Sequence, residues 1–165
     1  MIAYEAPTFI SSYWGSSSNG KKGAWCALTN TQGEWIQVDL RSTHQVAGVM
    51  TQGRSDAREW VTAFGVHYSL DGLTWTSALN AVEAGSEVFE GNTDSSTIET
   101  NDFAVPITAR FIRFLPTQWQ AHICMRFELV GKVVAGAYPI NLWATAHDNC
   151  DNRSVCVYPS QCREL

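Results

Sequence analysis

Apolar and polar positions alternate most clearly over residues 62–70. One parity carries Thr62, Phe64, Val66, Tyr68 and Leu70, and the other carries Ala63, Gly65, His67 and Ser69. This period of two predicts a strand with one buried face. Asp71 and Gly72 follow, two residues that tolerate the positive φ of a tight hairpin turn, and Trp75 begins the returning strand. The pattern predicts an antiparallel β protein whose functional groups lie in loops at the strand ends.

Further strands are predicted wherever short apolar or alternating runs lie between polar loops. They fall at residues 35–40, 45–52, 88–89, 96–100, 108–115 and 124–130. No segment of useful length has the 3.6-residue period of a helix. About eight strands without helices predict an all-β fold of two packed antiparallel sheets.

The pattern of alternating strands ends after residue 131. Residues 133–139 resemble a linker, and Cys150, Cys156 and Cys162 stand near the end of the chain. We therefore expect one domain over residues 1–131 and a linker with a Cys-rich tail over residues 132–165. The tail is either a partial disulfide module, such as an epidermal-growth-factor-like one, or a disordered end.

Charge and composition exclude several functional classes. The net charge is −5 and charged residues make up 16% of the chain, against about 25% in typical proteins. Lys21 and Lys22 are the only basic cluster in the sequence, so the concentrated basic face of a nucleic-acid-binding protein is missing. No apolar run reaches the roughly 20 residues of a transmembrane span, and residues 1–7 do not resemble a signal peptide.

Catalytic motifs are also missing from the sequence. No nucleophile elbow positions a serine beside a histidine and a carboxylate, and no glycine-rich phosphate loop is present. Cys150 with His147 does not reproduce zinc-finger spacing. The sequence therefore predicts a protein that is not an enzyme.

An ordered set of motifs covering residues 9–131 resembles one known family. The motifs include Gly23-Ala24-Trp25-Cys26, Glu34-Trp35-Ile36-Gln37-Val38-Asp39-Leu40, Tyr68-Ser69-Leu70-Asp71-Gly72-Leu73-Thr74-Trp75, Arg110-Phe111-Ile112-Arg113-Phe114 and Cys124-Met125-Arg126-Phe127-Glu128-Leu129. Together they resemble the discoidin domain, also called the coagulation factor V/VIII type C domain. The resemblance implies an eight-stranded jelly-roll β-sandwich. It also implies a non-catalytic domain that binds carbohydrate, anionic phospholipid, collagen or peptide, mostly outside cells.

The resemblance implies one disulfide and one optional metal site. Cys26 and Cys124 match positions that are often paired in the family; the alternative is two free buried thiols. No cofactor is required, but some sugar-binding relatives hold calcium near the end of the final strand. Glu128 would contribute an oxygen there, although the six to eight oxygens that calcium needs are not identifiable from the sequence.

Three aromatic residues are candidate ligand contacts. Tyr13 and Trp14 lie in a Ser/Gly-rich loop, and exposed rings there would stack on a sugar or enter a lipid interface. The alternative is that both pack on the edge of the core. Trp25 is a candidate pocket wall by analogy with the family, and its alternative is a structural core position.

Polar candidates lie in the loop over residues 53–60 and just before the last strand. Arg54, Asp56 and Arg58 offer donors and an acceptor that suit sugar hydroxyls or an anionic headgroup. Alternatively, Arg54 and Asp56 form a surface ion pair of little energetic weight. His122 is a hydrogen-bonding candidate, or a half-buried residue at the sheet edge.

These residues favour an extracellular recognition or adhesion domain that binds carbohydrate at one end of the sandwich. Cell-surface or matrix glycans are the expected partners. Because the chain is acidic, anionic phospholipid ranks second. The third possibility is a structural protein-interaction module of a larger extracellular protein.

Overall fold

The computed structural model describes residues 24–133 and 154–156, and all regular secondary structure in these residues is β-strand. The strands are β1 (Trp25–Cys26), β2 (Ile36–Gln52), β3 (Trp60–Ser69), β4 (Thr76–Ser77), β5 (Val88–Glu90), β6 (Glu99–Gln120), β7 (Cys124–Val133) and β8 (Ser154–Cys156). The predicted all-β class is confirmed. The strand expected at residues 108–115 and the last two residues of the one expected at 96–100 belong to the single long strand β6.

The strands pair in the order β1-β7-β2-β6-β3-β4, with β5 pairing β3 and β8 pairing β2. Every pair is antiparallel except β2 with β8. The register between β2 and β6 shifts between residues 39 and 44, and again between 46 and 48. At such irregularities a strand bends, so the long strands β2 and β6 contribute to both halves of the sheet.

The two halves face each other across one hydrophobic core. Phe114 lies in β6 and Phe127 in β7, two strands that do not pair, yet their ring centroids are 4.2 Å apart. Phe64 contacts Phe114 on one side and Phe89 on the other, at 5.9 and 5.8 Å, and Phe89 contacts Phe103 at 5.6 Å. These five rings form a continuous row, which we call the phenylalanine row, through the centre of the sandwich.

The strand predicted over residues 62–70 is present as β3, with one correction. Phe64 and Val66 are fully buried as expected, but Leu70 is 58% exposed. The register of β3 shifts between residues 61 and 64, and the strand ends at Ser69. Leu70 therefore lies in the turn, where Gly72 adopts a φ of +74°.

Part of the tail joins the sheet. Ser154–Cys156 pairs in parallel with residues 37–39 of β2. This pairing was not predicted, because nothing in the local sequence indicates which strand a tail residue meets. Seven strands lie within residues 25–133 and the eighth comes from the tail.

Several chain segments meet at one end of the sandwich. β2 ends there at Gln52, which pairs with Arg126 near the start of β7, and β3 begins there at Trp60, which pairs with Gln120 at the end of β6. The loops over residues 27–35, 53–59 and 121–123 are thereby brought together. We call this end of the molecule the loop end. No helix among the described residues is long and apolar enough to span a membrane.

Candidate functional site

The loop over residues 27–35 is hydrogen-bonded to the turn that precedes β7. The Ala27 amide donates to the Ile123 carbonyl at 2.9 Å. The side chain of Asn30 donates to the Ala121 carbonyl at 2.8 Å and accepts from the Ile123 amide at 3.0 Å. Ala121 has a φ of +59°, a left-handed conformation that is uncommon outside glycine. This turn therefore holds His122 in a defined place.

A disulfide joins Cys26 and Cys124 across the same region, as the family resemblance implied. The two residues are directly opposite each other in the ladder between β1 and β7 and are 98 positions apart in sequence. Because β1 is only two residues long, the covalent bond is its main attachment to the sheet.

Arg54 is the centre of a charged cluster in the loop over residues 53–59. Its Nε donates to Asp56 Oδ1 at 2.7 Å, and its Nη1 donates to Glu59 Oε2 at 2.5 Å. Its backbone amide donates to the Glu59 carbonyl at 2.9 Å, which closes the loop. Burial disfavours the charged guanidinium, but the two carboxylates outweigh that effect and raise the pKa of Arg54.

Glu59 connects this cluster to the disulfide and was not among the predicted site residues. Its Oε2 lies 3.3 Å from Cys124 Sγ, and His122 Nδ1 lies 3.8 Å from the same sulfur. Because Cys124 is in a disulfide, its sulfur has no proton to donate, and the first distance is a contact rather than a hydrogen bond. Arg54, Asp56 and His122 therefore lie in one region of the loop end, linked through Glu59 and the disulfide.

A buried arginine in β7, Arg126, holds the loop over residues 53–59 in place by hydrogen bonds. Arg126 donates from Nε to the Gly53 carbonyl at 2.6 Å and from Nη2 to the Ser95 carbonyl at 2.7 Å, and burial lowers its pKa. The Ser95 hydroxyl donates to the Ala57 carbonyl at 2.8 Å. A Cβ added at Gly53 would lie 2.7 Å from the Asp94 carbonyl oxygen. The loop over residues 53–59 and the turn over residues 94–97 thus pack as one unit on β7.

Asp94 organises that supporting turn, which makes the turn sensitive to acid. Its carboxylate accepts from the amides of Ser96 and Thr97 and from the Thr97 hydroxyl, at 2.6–2.7 Å. The bonds from Thr97 and Ser96 lower the pKa of Asp94 from 3.8 to about 2. A lowered pKa means that the stabilisation is present above the unfolded-state pKa and is lost as the pH falls through the folded-state value.

We therefore expect Asp94→Ala to lower the melting temperature at pH 7, because the turn loses all three acceptor bonds. The difference from the unmodified chain should shrink as the pH falls from 4 towards 2. Thermal unfolding at a series of pH values measures this, with Asp102→Ala as a control at an exposed carboxylate. A difference that stays constant down to pH 2 would contradict the assignment.

Of the three aromatic candidates, the structure describes only Trp25. Tyr13 and Trp14 lie outside the described residues. Trp25 is only 8% exposed and belongs to the hydrophobic core, so the structure favours a structural role over a pocket wall. Arg58 is exposed on the same loop as Arg54, and it makes no ion pair with another described residue.

The geometry around Glu128 gives no support to calcium binding. Burial raises the pKa of Glu128, and its Oε2 is buried without a hydrogen-bond partner. However, among the described residues the only group of three potential metal-ligating side chains is Cys26, Glu59 and Cys124. Calcium sites use several carboxylate oxygens, and no group of three potential ligands among the described residues includes Glu128. We derive no function from calcium.

Comparison with known proteins identifies the family. The F5/8 type C domain model matches residues 10–129. Lactadherin from Bos taurus is 40% identical over 116 residues, covering 69% of this chain and 27% of lactadherin. Retinoschisin from Mus musculus is 36% identical over 115 residues, covering 69% of this chain and 51% of retinoschisin. Wild-type discoidin II from Dictyostelium discoideum has a similar structure, with a TM-score of 0.60 and 28% identity over 69% of this chain and 44% of that one.

The chain belongs to the F5/8 type C, or discoidin, domain family. Domains of this family are generally non-catalytic binding modules of extracellular proteins, with phospholipid or carbohydrate as ligands. The chain spans from about a quarter to about half of the length of these curated relatives. The similarity therefore concerns one domain of each relative.

Proposed function

We propose that this protein is an extracellular recognition domain that binds carbohydrate at the loop end. The binding surface contains Arg54, Asp56, Arg58, Glu59 and His122. Its partners are glycans of a cell surface or matrix. The domain holds its ligand by hydrogen bonds and ring contacts and carries out no reaction.

The main support for this proposal is that two carboxylates neutralise the positive charge of Arg54. Its guanidinium is bonded to the carboxylates of both Asp56 and Glu59. A cation that already has two anionic partners has little attraction left for a phosphate group. The same cluster places donors and acceptors side by side, which suits the neighbouring hydroxyls of a sugar, each of which both donates and accepts.

The proposed sugar site also needs an aromatic ring, for which Tyr13 and Trp14 are the candidates. Carbohydrate sites pair hydrogen-bonding groups with an aromatic ring that covers the apolar face of the sugar. Trp25 is buried and does not supply this ring. We therefore assign the ring that covers the sugar to Tyr13 or Trp14, on the basis of the sequence alone.

A second candidate is binding to an anionic phospholipid surface, and one observation favours it. Leu28 is 77% exposed in the loop that is fastened to the turn before β7. An exposed leucine at the loop end would enter the acyl boundary of a bilayer. Arg58, which has no carboxylate partner among the described residues, would then contact a headgroup phosphate.

We expect Arg54→Ala to weaken glycan binding by at least tenfold, roughly the loss of one or two charge-assisted hydrogen bonds. The binding partner is found on a glycan array with the intact chain, and affinities are then measured by calorimetry. Arg110→Ala is the control, because Arg110 also forms an ion pair with a carboxylate, that of Asp39, at 2.9 Å. Arg110 lies beside the irregularity between residues 39 and 44 of β2 and not at the Gln52 end of that strand. The control should bind as the unmodified chain does.

Liposome sedimentation at two salt concentrations separates the two candidates. Carbohydrate binding predicts no sedimentation with phosphatidylserine vesicles and no effect of Leu28→Ser on glycan affinity. Salt-sensitive sedimentation that Leu28→Ser abolishes would replace the carbohydrate proposal with the phospholipid one. Unchanged binding of every ligand after Arg54→Ala, Tyr13→Ala and Trp14→Ala would remove the site assignment.

A further inference from the structure

A pocket of about 260 Å³ lies at the end of β3 that is remote from the loop end. β3 begins at the loop end with Trp60 and finishes ten residues later at Ser69, and an extended strand of that length spans roughly 30 Å. None of the side chains proposed to bind glycan at the loop end lines this pocket, which we call the turn pocket. Its lining includes Tyr68, Leu70, Asp71, Thr76 and Thr108.

Part of the turn pocket is apolar. Tyr68 has the same parity in β3 as Phe64 and Val66, which are both fully buried, and its ring packs against the hydrophobic core. Leu70 lines the pocket from the turn that follows β3, and its side chain is largely exposed. A ligand in the turn pocket would therefore cover an aromatic ring and a leucine that the fold leaves accessible to water.

Three hydroxyl groups stand around these apolar surfaces. Thr76 of β4 is directly opposite Tyr68 in the ladder between β3 and β4, so the two side chains share one face of the sheet. Thr108 comes from β6. None of these three hydroxyls makes a hydrogen bond within the part of the chain that the structure describes. Each can both donate and accept, and all three are therefore available to a ligand.

The turn that borders the pocket is held in place by its own hydrogen bonds. The Ser69 hydroxyl donates to Asp71 Oδ1 and accepts from the Gly72 amide, each at 2.9 Å. Asp71 Oδ1 also accepts from the amides of Thr74 and Leu73, each at 2.8 Å. These bonds lower the pKa of Asp71 from 3.8 to about 2, so its carboxylate is negatively charged at neutral pH and disfavours an anionic ligand.

We propose that the turn pocket is a second carbohydrate site, which takes the ring of one neutral sugar unit. The apolar C–H face of such a ring suits Tyr68 and Leu70, and its hydroxyls suit the unpartnered hydroxyls of the lining. Pockets for drug-sized ligands measure about 300–1,000 Å³, so the smaller volume here suits a single ring. The site shares no residue with the loop end and does not depend on the function proposed for the loop end.

The test titrates the full chain with the methyl glycosides of galactose, glucose, mannose and N-acetylglucosamine, and follows the backbone amides by NMR. We expect at least one glycoside to shift the signals of residues 68–76 and 108 to saturation, with the millimolar dissociation constant of a weak single-ring ligand. Methyl glucuronide, which carries a carboxylate, should bind there at least tenfold more weakly. The proposal is overturned if none of the four glycosides shifts these signals, or if methyl glucuronide binds as well as the neutral sugars.

Two substitutions remove a hydroxyl and nearly keep the shape of the side chain. Tyr68→Phe and Thr108→Val should each weaken sugar binding in the turn pocket by about threefold or more, as the loss of one hydrogen bond does. Thr100→Val is the matched control, because Thr100 is also an exposed threonine of β6 but does not line the pocket. Valine is favoured in strands, so both threonine variants should fold, and their melting temperatures check this. Unchanged affinity in both Tyr68→Phe and Thr108→Val would overturn the proposal.

Arg54→Ala separates the turn pocket from the loop end. Sugar binding in the turn pocket should have the same affinity in this variant as in the unmodified chain, because Arg54 does not line the pocket. Loss of the shifts at residues 68–76 in Arg54→Ala would show that they are transmitted from the loop end, and would overturn the proposal. Retained shifts support the turn pocket whether or not glycan binds at the loop end, so the two sites succeed or fail separately.

Discussion

Phe64→Ala is expected to lower the free energy of unfolding by about 3–5 kcal/mol, the range for truncating a fully buried phenylalanine. Phe64 is 0% exposed and stands in the middle of the phenylalanine row, in contact with both Phe89 and Phe114. Its loss removes ring contacts on two sides and leaves a cavity between the halves of the sandwich. Urea unfolding followed by tryptophan fluorescence measures the effect.

Phe111→Ala is the matched control because it makes the same chemical change on the same sheet. Phe111 is only partly buried and lies on the outer face, beside Arg110 and the turn at Gly72. It should cost about 1 kcal/mol or less, as changes near the surface usually do. Equal losses for Phe64→Ala and Phe111→Ala would contradict the assignment of the core.

The buried face of β3 was predictable because local alternation reports directly on burial. Phe64 and Val66 fall on one parity and both are buried. The position of Leu70 was not predictable, because a register shift early in β3 depends on its partner strand β6. The same reason explains why residues 96–115 were predicted as two strands: a bend within one long strand appears in sequence as a break.

The sequence indicated which residues could belong to the candidate site, but not the contacts that join its separate segments. Arg54, Asp56 and Arg58 were found because they share one short loop, and Glu59 belongs to the same loop and offered a comparable signal. Arg126 was not among the candidate site residues, yet it donates to the carbonyls of Gly53 and Ser95. That contact joins segments more than thirty residues apart, and alternation within β7 carries no information about it.

The disulfide is the second position where a large loss of stability is expected. The double substitution Cys26→Ala and Cys124→Ala should lower the free energy of unfolding by about 3–5 kcal/mol, because the bond closes a long loop in the unfolded chain. The two residues are 98 positions apart. Urea unfolding of the double variant and of the oxidised parent measures the difference, with Cys162→Ala as a control in the tail.

The slope of that unfolding curve tests where the effect originates. If the disulfide acts mainly on the unfolded state, the double variant unfolds to a more expanded chain, and its m-value rises along with the fall in stability. If it acts mainly by holding β1 against β7, the m-value stays constant and glycan binding falls, since the loop after β1 lies at the loop end. Because β1 has only two residues in its ladder, we expect both signatures. A double variant as stable as its parent would show that the turn bonds of Asn30 and Ala27 alone suffice to hold this end of the sandwich.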